Sequence, residues 1–197
     1  MACLLAVWAM LSVDDAARPV PGTIPAGLSA LRCKDAGGGD VGPSNWKEQK
    51  GTVLFFAGLE CPVANFYLPQ IEELSRKYRD KGIGVYSVYA EPEVSAKDVK
   101  QHAAEYKLTI PQWLDSNQLL ARAYGIRTLS EVLVVGPDGT LIYRGRIDDR
   151  YSTDKGKRRE EPRTRELVDA IDAVLAGKQP AIREAPAYGC PMPKKRD

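Results

Sequence analysis

A short apolar strand that passes directly into a long amphipathic helix narrows the possible folds of this chain more than any other feature. Every residue of the run Val53–Phe56 is apolar, and Gly51 and Gly58 bound it, which is typical of a strand covered on both faces. Apolar residues then recur at helical spacing as far as Lys81-Gly82, where the glycine predicts the helix end. This pattern indicates an α/β sheet with helices on both sides.

The segment Cys61-Pro62-Val63-Ala64 lies where this strand gives way to the helix. Unpaired backbone N–H groups and the positive end of the helix dipole favour an anion at that position, and a thiolate is such an anion. Pro62 suits the first helical turn because its missing N–H would have had no partner there. We therefore predict a reactive Cys61 that exchanges with disulfides or peroxides. The alternative is a buried, inert cysteine.

The rest of the chain alternates between strands and helices. The capping box Ser95–Asp98 opens one predicted helix, and the turn Pro137–Gly139 joins two strands into a hairpin. Leu28–Asp35, followed by a glycine turn, predicts the start of an N-terminal hairpin. The other predicted elements are a strand over 83–90, a helix over 95–106, a short helix that follows Trp113–Asp115 and runs through Tyr124, strands over 132–135 and 141–145, and a helix over 163–176.

Length and charge fit one globular domain with extensions. The 197 residues carry 28 Lys and Arg against 26 Asp and Glu, a net charge of +2, so we expect neither nucleic acid nor a membrane surface as a partner. The apolar stretch Ala2–Val13 is shorter than the ~20 residues of a membrane span and predicts export to the periplasm or another extracytoplasmic space. A cytoplasmic N-terminal arm is the alternative. The predicted divisions are a possible signal peptide over 1–17, a linker over 18–27, a domain over 28–177 and a cysteine-containing tail over 178–197.

From about Leu28 to Gly177 the chain resembles the thioredoxin-like superfamily, in its redoxin branch of alkyl hydroperoxide reductase/thiol-specific antioxidant type. The resemblance implies a three-layer α/β sandwich with a central mixed sheet, and a thiol-dependent oxidoreductase that acts with a redox partner protein or a small thiol. It rests on the segments Phe55–Pro62, Thr128–Val132, Tyr143–Asp149 and Tyr188–Pro191.

The chain departs from the family pattern at its second cysteine. Counting from Pro69, which matches the helix-kinking proline of thioredoxins, Cys61 takes the first position of the family's Cys-x-x-Cys and Ala64 the second. Ala64 cannot resolve a mixed disulfide, so Cys190 of the tail or an external thiol would have to do so. We expect Cys190 to be exposed and mobile. A static disulfide of Cys190 with Cys33 or Cys61, or a free thiol, remains an alternative.

Two further departures concern the surroundings of Cys61. Peroxiredoxins carry a Thr or Ser three residues before the cysteine, where this chain has Gly58, and they add a distant arginine, for which Arg127 is the candidate. Thioredoxin-like folds hold substrate chains against a cis-proline loop, where this chain has Leu129-Ser130. A trans or rearranged loop is expected because a non-proline cis bond costs ~3 kcal/mol.

The resemblance thus assigns catalysis to Cys61, Cys190 and Arg127, and substrate binding to Pro62, Thr128 and Ser130.

The sole histidine, His102, falls on a predicted helix, and we expect it at the surface or half-buried, away from Cys61. No Cys/His cluster indicates a metal site, and we expect no cofactor. Two functions remain open. The first is a thiol-dependent oxidoreductase with Cys61 as nucleophile, and the alternative is a non-catalytic binding module of thioredoxin fold. The sequence leaves the oligomeric state open.

Overall fold

The computed structural model describes residues 18–151 and 158–194. The predicted signal peptide, residues 1–17, lies outside these residues and stays a prediction. Within them the strands are β1 (Cys33–Asp35), β2 (Asp40–Val41), β3 (Gly51–Ala57), β4 (Ile83–Tyr89), β5 (Gln112–Leu114), β6 (Val132–Val135) and β7 (Leu141–Gly145). The α-helices are α1 (Pro62–Tyr78), α2 (Ala96–Glu105), α3 (Leu119–Ala123) and α4 (Glu166–Leu175), and short 3-10 turns cover Leu28–Ala30, Pro43–Trp46 and Arg79–Lys81.

The seven strands form one mixed sheet in the order β2-β1-β5-β4-β3-β6-β7. β3 lies inside it, parallel to β4 and antiparallel to β6, and all seven residues of β3 and of β4 are buried. Each sheet face packs on its own apolar cluster, so helices and sheet form three layers. The predicted thioredoxin-like sandwich is confirmed.

One strand was missed. The stretch before α3 was predicted only as a lead into a helix, whereas Gln112–Leu114 forms β5, parallel to β4 and antiparallel to β1. Trp113 at its centre is buried and stacks on Trp46, with ring centroids 5.9 Å apart. Three residues are too few to show an alternating pattern, so only the tertiary contacts reveal this strand.

The passage from β3 to α1 follows the prediction. Cys61 is the N-cap residue with extended backbone angles, φ −80° and ψ 108°, and Pro62 is the first helical residue. The helix end at Gly82 is also as expected, since this glycine has the left-handed φ of 90°. The sheet therefore presents Cys61 at the end of a central strand, on the N-terminus of the longest described helix.

Candidate active site

Cys61 lies at the N-terminus of α1, with its sulfur turned toward the helix. Its Sγ accepts a hydrogen bond from the Ala64 backbone N–H at 3.5 Å, while its carbonyl accepts the first helical bond, from Asn65 N–H at 2.9 Å. The sulfur thus occupies the position of an N-cap side chain, which accepts a hydrogen bond from the first helical turn. The side chain is nevertheless only 2% exposed, so the neighbouring chain segments control access to it.

Cys190 is the neighbour that matters most for chemistry. Cys190 packs against the apolar cluster that contains Cys61, with the two side chains close enough to interact, and both cysteines are free thiols. Burial, then the hydrogen bond and charge of Cys61, then the charge of Glu91, raise the pKa of Cys190 to about 11. Cys190 therefore keeps its proton at neutral pH while it lies beside Cys61.

The expectation of an exposed Cys190 is wrong, because the tail is hydrogen-bonded to the body of the protein. Leu129 N–H donates to the Cys190 carbonyl at 2.8 Å, and Met192 N–H donates to the Arg127 carbonyl at 2.9 Å. Thr128 and Pro191 form an antiparallel bridge between these two bonds. As a result the side chain of Cys190 is half-buried.

Cys33 is separate from this pair. It begins β1 and belongs to the apolar cluster on the opposite sheet face from Cys61 and Cys190. Its sulfur lies 3.7 Å from an Asp115 carboxylate oxygen, and burial, followed by that carboxylate, raises its pKa to about 12. Cys33 is thus a buried strand residue, and a Cys33–Cys190 staple has no support in this geometry.

Ser130 lies in the loop that we compared with the cis-proline loop of the family. No cis peptide bond occurs in the described residues, so the predicted trans loop is confirmed. Ser130 instead has a left-handed backbone, φ 76°, which is uncommon for a residue with a side chain. Its N–H donates to the Phe56 carbonyl at 2.7 Å, and its hydroxyl donates to the Tyr188 carbonyl at 2.7 Å. Ser130 thus ties the end of β3 to the tail.

Three more residues were predicted as site residues, namely Pro62, Thr128 and Arg127. Pro62 is exposed at the first turn of α1, and Thr128 is half-buried. Arg127 gives the tail only its backbone carbonyl, and its exposed guanidinium makes no hydrogen bond or ion pair with the described part of the chain. A role for the Arg127 side chain at Cys61 stays a prediction.

Gly58 has a structural reason to lack a side chain. A Cβ at this position would lie 2.5 Å from Leu129 Cδ1 and 3.3 Å from Cys61 Cβ. A Thr or Ser, which peroxiredoxins place there, would therefore collide with its surroundings.

Sequence analysis missed a hydrogen-bonded chain that fixes the turn before Cys61. His102 is buried on α2, with Nδ1 2.9 Å from the Tyr89 hydroxyl and Nε2 3.0 Å from Asn65 Oδ1. Asn65 Nδ2 donates to the Leu59 carbonyl at 2.9 Å, and Leu59 N–H donates to Glu91 at 3.1 Å. The expectation that His102 lies at the surface or half-buried is wrong, since the residue is only 5% exposed. It contacts Asn65, one turn after Cys61 on α1.

Glu91 lies at the opening of the site. Burial raises its pKa, and the nearby charge of Glu60 adds to that rise.

Among the described residues, no group of three or more His, Cys, Asp or Glu side chains is placed to hold a metal ion. In the same residues, no helix is both long enough and apolar enough to cross a bilayer.

A thioredoxin-like fold with a cysteine capping α1 is the arrangement expected of a redoxin. The sequence model of the AhpC/TSA family matches residues 27–144, more than half of the chain, and the chain belongs to that family. The expected redoxin-type resemblance is thereby confirmed.

Comparison with individual proteins agrees with this assignment. The thiol-disulfide oxidoreductase ResA of Halalkalibacterium halodurans is 31% identical over 96 residues, which cover 48% of this chain and 53% of that protein. The chain thus spans about half the length of the curated relatives it matches.

Two solved structures are similar over most of their length. An uncharacterized conserved protein from Geobacillus kaustophilus has a TM-score of 0.77 and 23% identity, with 91% of this chain and 94% of that one covered. A hypothetical protein from Sinorhizobium meliloti 1021 has a TM-score of 0.75 and 24% identity, with 88% and 94% covered. These two likenesses concern the fold alone.

Proposed function

We propose that the protein is a thiol–disulfide oxidoreductase in which Cys61 is the nucleophile and Cys190 the resolving cysteine. The observation that carries this proposal is the contact between the two thiols, held by a tail whose backbone is paired with the loop Arg127–Ser130. Cys190 would then supply the function that Ala64 cannot. A binding module would have no use for such a pair, so the non-catalytic alternative is less well supported.

The proposed exchange has two steps. The Cys61 thiolate attacks one sulfur of a partner disulfide, a mixed disulfide forms, and the partner's second sulfur leaves as a thiolate that takes up a proton. Cys190 then loses its proton and attacks Cys61 Sγ, which forms the Cys61–Cys190 disulfide and releases the partner's first sulfur as a thiol. The partner gains two electrons and the cysteine pair loses them. An external dithiol, as a protein or a small molecule, reduces the pair again.

Peroxide reduction has less support at this site. Gly58 supplies no hydroxyl three residues before Cys61, and a side chain there would require Leu129 to move. The Arg127 guanidinium has no partner among the described residues. Thr128 and Ser130, through the tail contacts, would position Cys190, and Pro62 would fix the first turn of α1.

We further propose export, because a Cys61–Cys190 disulfide persists best in an oxidising compartment.

Mass-spectrometric mapping of the cysteines after a stoichiometric dose of oxidised glutathione tests the proposal. The wild type should form a Cys61–Cys190 disulfide that dithiothreitol reverses, whereas Cys190→Ser should stop at a glutathione adduct on Cys61. Cys33→Ser is the matched control and should behave as the wild type, since Cys33 lies on the other face of the sheet. A Cys61 that stays a free thiol in Cys190→Ser would overturn the proposal.

A further inference from the structure

The contacts that hold Cys190 in place involve the tail backbone. Leu129 N–H binds the Cys190 carbonyl, the Arg127 carbonyl binds Met192 N–H, and the Ser130 hydroxyl binds the Tyr188 carbonyl. None of these three bonds depends on a side chain of the tail. Another extended polypeptide with a cysteine at the same place could therefore make all three.

One position of the docked tail does impose a restriction. A Cβ on Gly189 would lie 2.0 Å from the Leu129 carbonyl oxygen and 2.7 Å from Ser130 Oγ. The backbone of Gly189 is not left-handed, so the neighbouring loop, rather than the φ angle, requires glycine here. A chain that docks in this way must carry glycine immediately before its cysteine.

The tail has two parts, a stem formed by Arg183–Ala185 and an end formed by Tyr188–Pro193. Its stem lies along β7, with Arg144 N–H bound to the Arg183 carbonyl and Ala185 N–H bound to the Arg144 carbonyl, both at 3.1 Å. Pro186, which follows the stem, is exposed. The end, Tyr188–Pro193, is held separately from the stem, by the loop Arg127–Ser130 and by Gln118, whose Nε2 donates to the Pro193 carbonyl at 2.5 Å.

We propose that the loop Arg127–Ser130, beside Cys61, is a docking site for extended polypeptides that carry a glycine before their reactive cysteine. The tail end Tyr188–Pro193 occupies this site within the same molecule, and a partner must displace it to reach Cys61. This inference rests on the proposed exchange reaction and adds to it the class of partner. Cys61 selects a polypeptide disulfide that contains a Gly-Cys pair. Cys190 resolves the mixed disulfide after the backbone of the partner has left the loop and the tail has bound there again.

Two peptides test this selectivity on the full-length Cys190→Ser variant, in which the mixed disulfide on Cys61 accumulates. One has the tail sequence Ala-Tyr-Gly-Cys-Pro-Met and the other has alanine before cysteine; both are activated as mixed disulfides with thionitrobenzoate. The Cys61 thiolate attacks the peptide sulfur, the peptide–thionitrobenzoate bond breaks, and the released thionitrobenzoate is followed by its absorbance. We expect the glycine peptide to react about tenfold faster, because the added methyl group meets the Leu129 carbonyl.

A second substitution tests whether the tail occupies the site. Gly189→Ala, added to Cys190→Ser, should loosen the tail end and speed the reaction with the glycine peptide, with the preference for glycine retained. Gly177→Ala is the control: its Cβ would meet nothing within 4 Å, and it should leave the rate unchanged. Met192→Pro, which removes the tail N–H that binds the Arg127 carbonyl, serves as a second loosened variant if Gly189→Ala fails to fold.

The outcomes separate the two proposals. Equal rates for the two peptides would overturn the selectivity for glycine and leave the exchange function intact. Loosened variants that react no faster would show that the tail does not compete for the site. A Cys61 that reacts with neither peptide, nor with free dithiobis(nitrobenzoate), would overturn the proposed function together with this inference.

Discussion

His102 illustrates what burial does to a single titratable residue. It is 5% exposed, and the neutral ring suits its partners, since the Tyr89 hydroxyl can donate to Nδ1 while Nε2–H donates to Asn65. Burial lowers the pKa of His102 below its ordinary 6.5, with the charge of Glu105 acting in the opposite direction. The ring of Tyr106, centred 4.8 Å away, covers another side.

This burial predicts a loss of stability in mild acid. The unfolded chain binds a proton on His102 near pH 6.5, before the folded protein does, so stability is present above that pH and is lost as the pH falls toward the lower folded-state pKa. We expect the free energy of unfolding in urea to fall by up to about 1.4 kcal/mol per pH unit in this range. The free energy of unfolding of His102→Gln should depend less steeply on pH over the same range. A pH dependence as steep as that of the wild type would contradict the prediction.

Sequence reasoning found Cys61 and missed His102 for a physical reason. The signal for Cys61 is local, because the strand, the turn and the start of the helix around it follow one another within a few residues. His102 acts through Asn65, 37 positions earlier, and that contact arises only because α1 and α2 pack together. The one local signal was the place of Asn65, a full turn after Cys61 on the same helix.

At the scale of elements, the loop after β3 meets the loop before β6 at Gly58 and Leu129. Leu129 is 3% exposed, and its Cδ1 fills the place that a Cβ on Gly58 would need. The two loops both border Cys61, so their packing sets the shape of the site.

We therefore predict that Gly58→Ala destabilises the protein by about 1–3 kcal/mol, because the new methyl group collides with Leu129. Leu129→Ala removes the colliding atom, so the double variant should lose less than the sum of the single changes. Urea unfolding of the wild type, both single variants and the double variant measures this coupling. Simple additivity would show that the two loops do not touch as described.

Elements differ in how well the sequence reveals them. The long buried strands and α1 were predicted because their apolar patterns run over many residues. The pairing of the tail with Thr128 was not foreseen, since it consists of backbone hydrogen bonds, and these leave no side-chain pattern.

At the scale of the whole molecule, Arg144 of β7 connects distant parts of the chain. Its guanidinium donates to Glu131 at 3.3 Å, to the Pro19 carbonyl at 2.8 Å and to the Tyr124 carbonyl at 2.6 Å. Arg18 forms a second ion pair with Glu131. The N-terminal segment, the loop after α3, and β7 thus converge on one buried ionic cluster.

Removal of Arg144 should be among the costliest single changes. Arg144→Met would leave the Glu131 carboxylate and two carbonyls without this donor, and breaking a buried pair in this way costs about 3–5 kcal/mol. Arg122→Met is the matched control on an exposed position of α3, and its effect should stay within about 0.5 kcal/mol. Chemical denaturation of both variants tests this, and similar losses for the two would contradict it.

The stem of the tail has a consequence beyond catalysis. An outer strand with free N–H and C=O groups can recruit a strand from another molecule and start aggregation. Arg183–Ala185 covers the outer side of β7 through its bonds to Arg144, and β2, at the other end of the sheet, is only two residues long. The segment that carries Cys190 to Cys61 therefore also shields the long margin of the sheet from self-association, and a chain cut before Arg183 would lose that shield together with its second thiol.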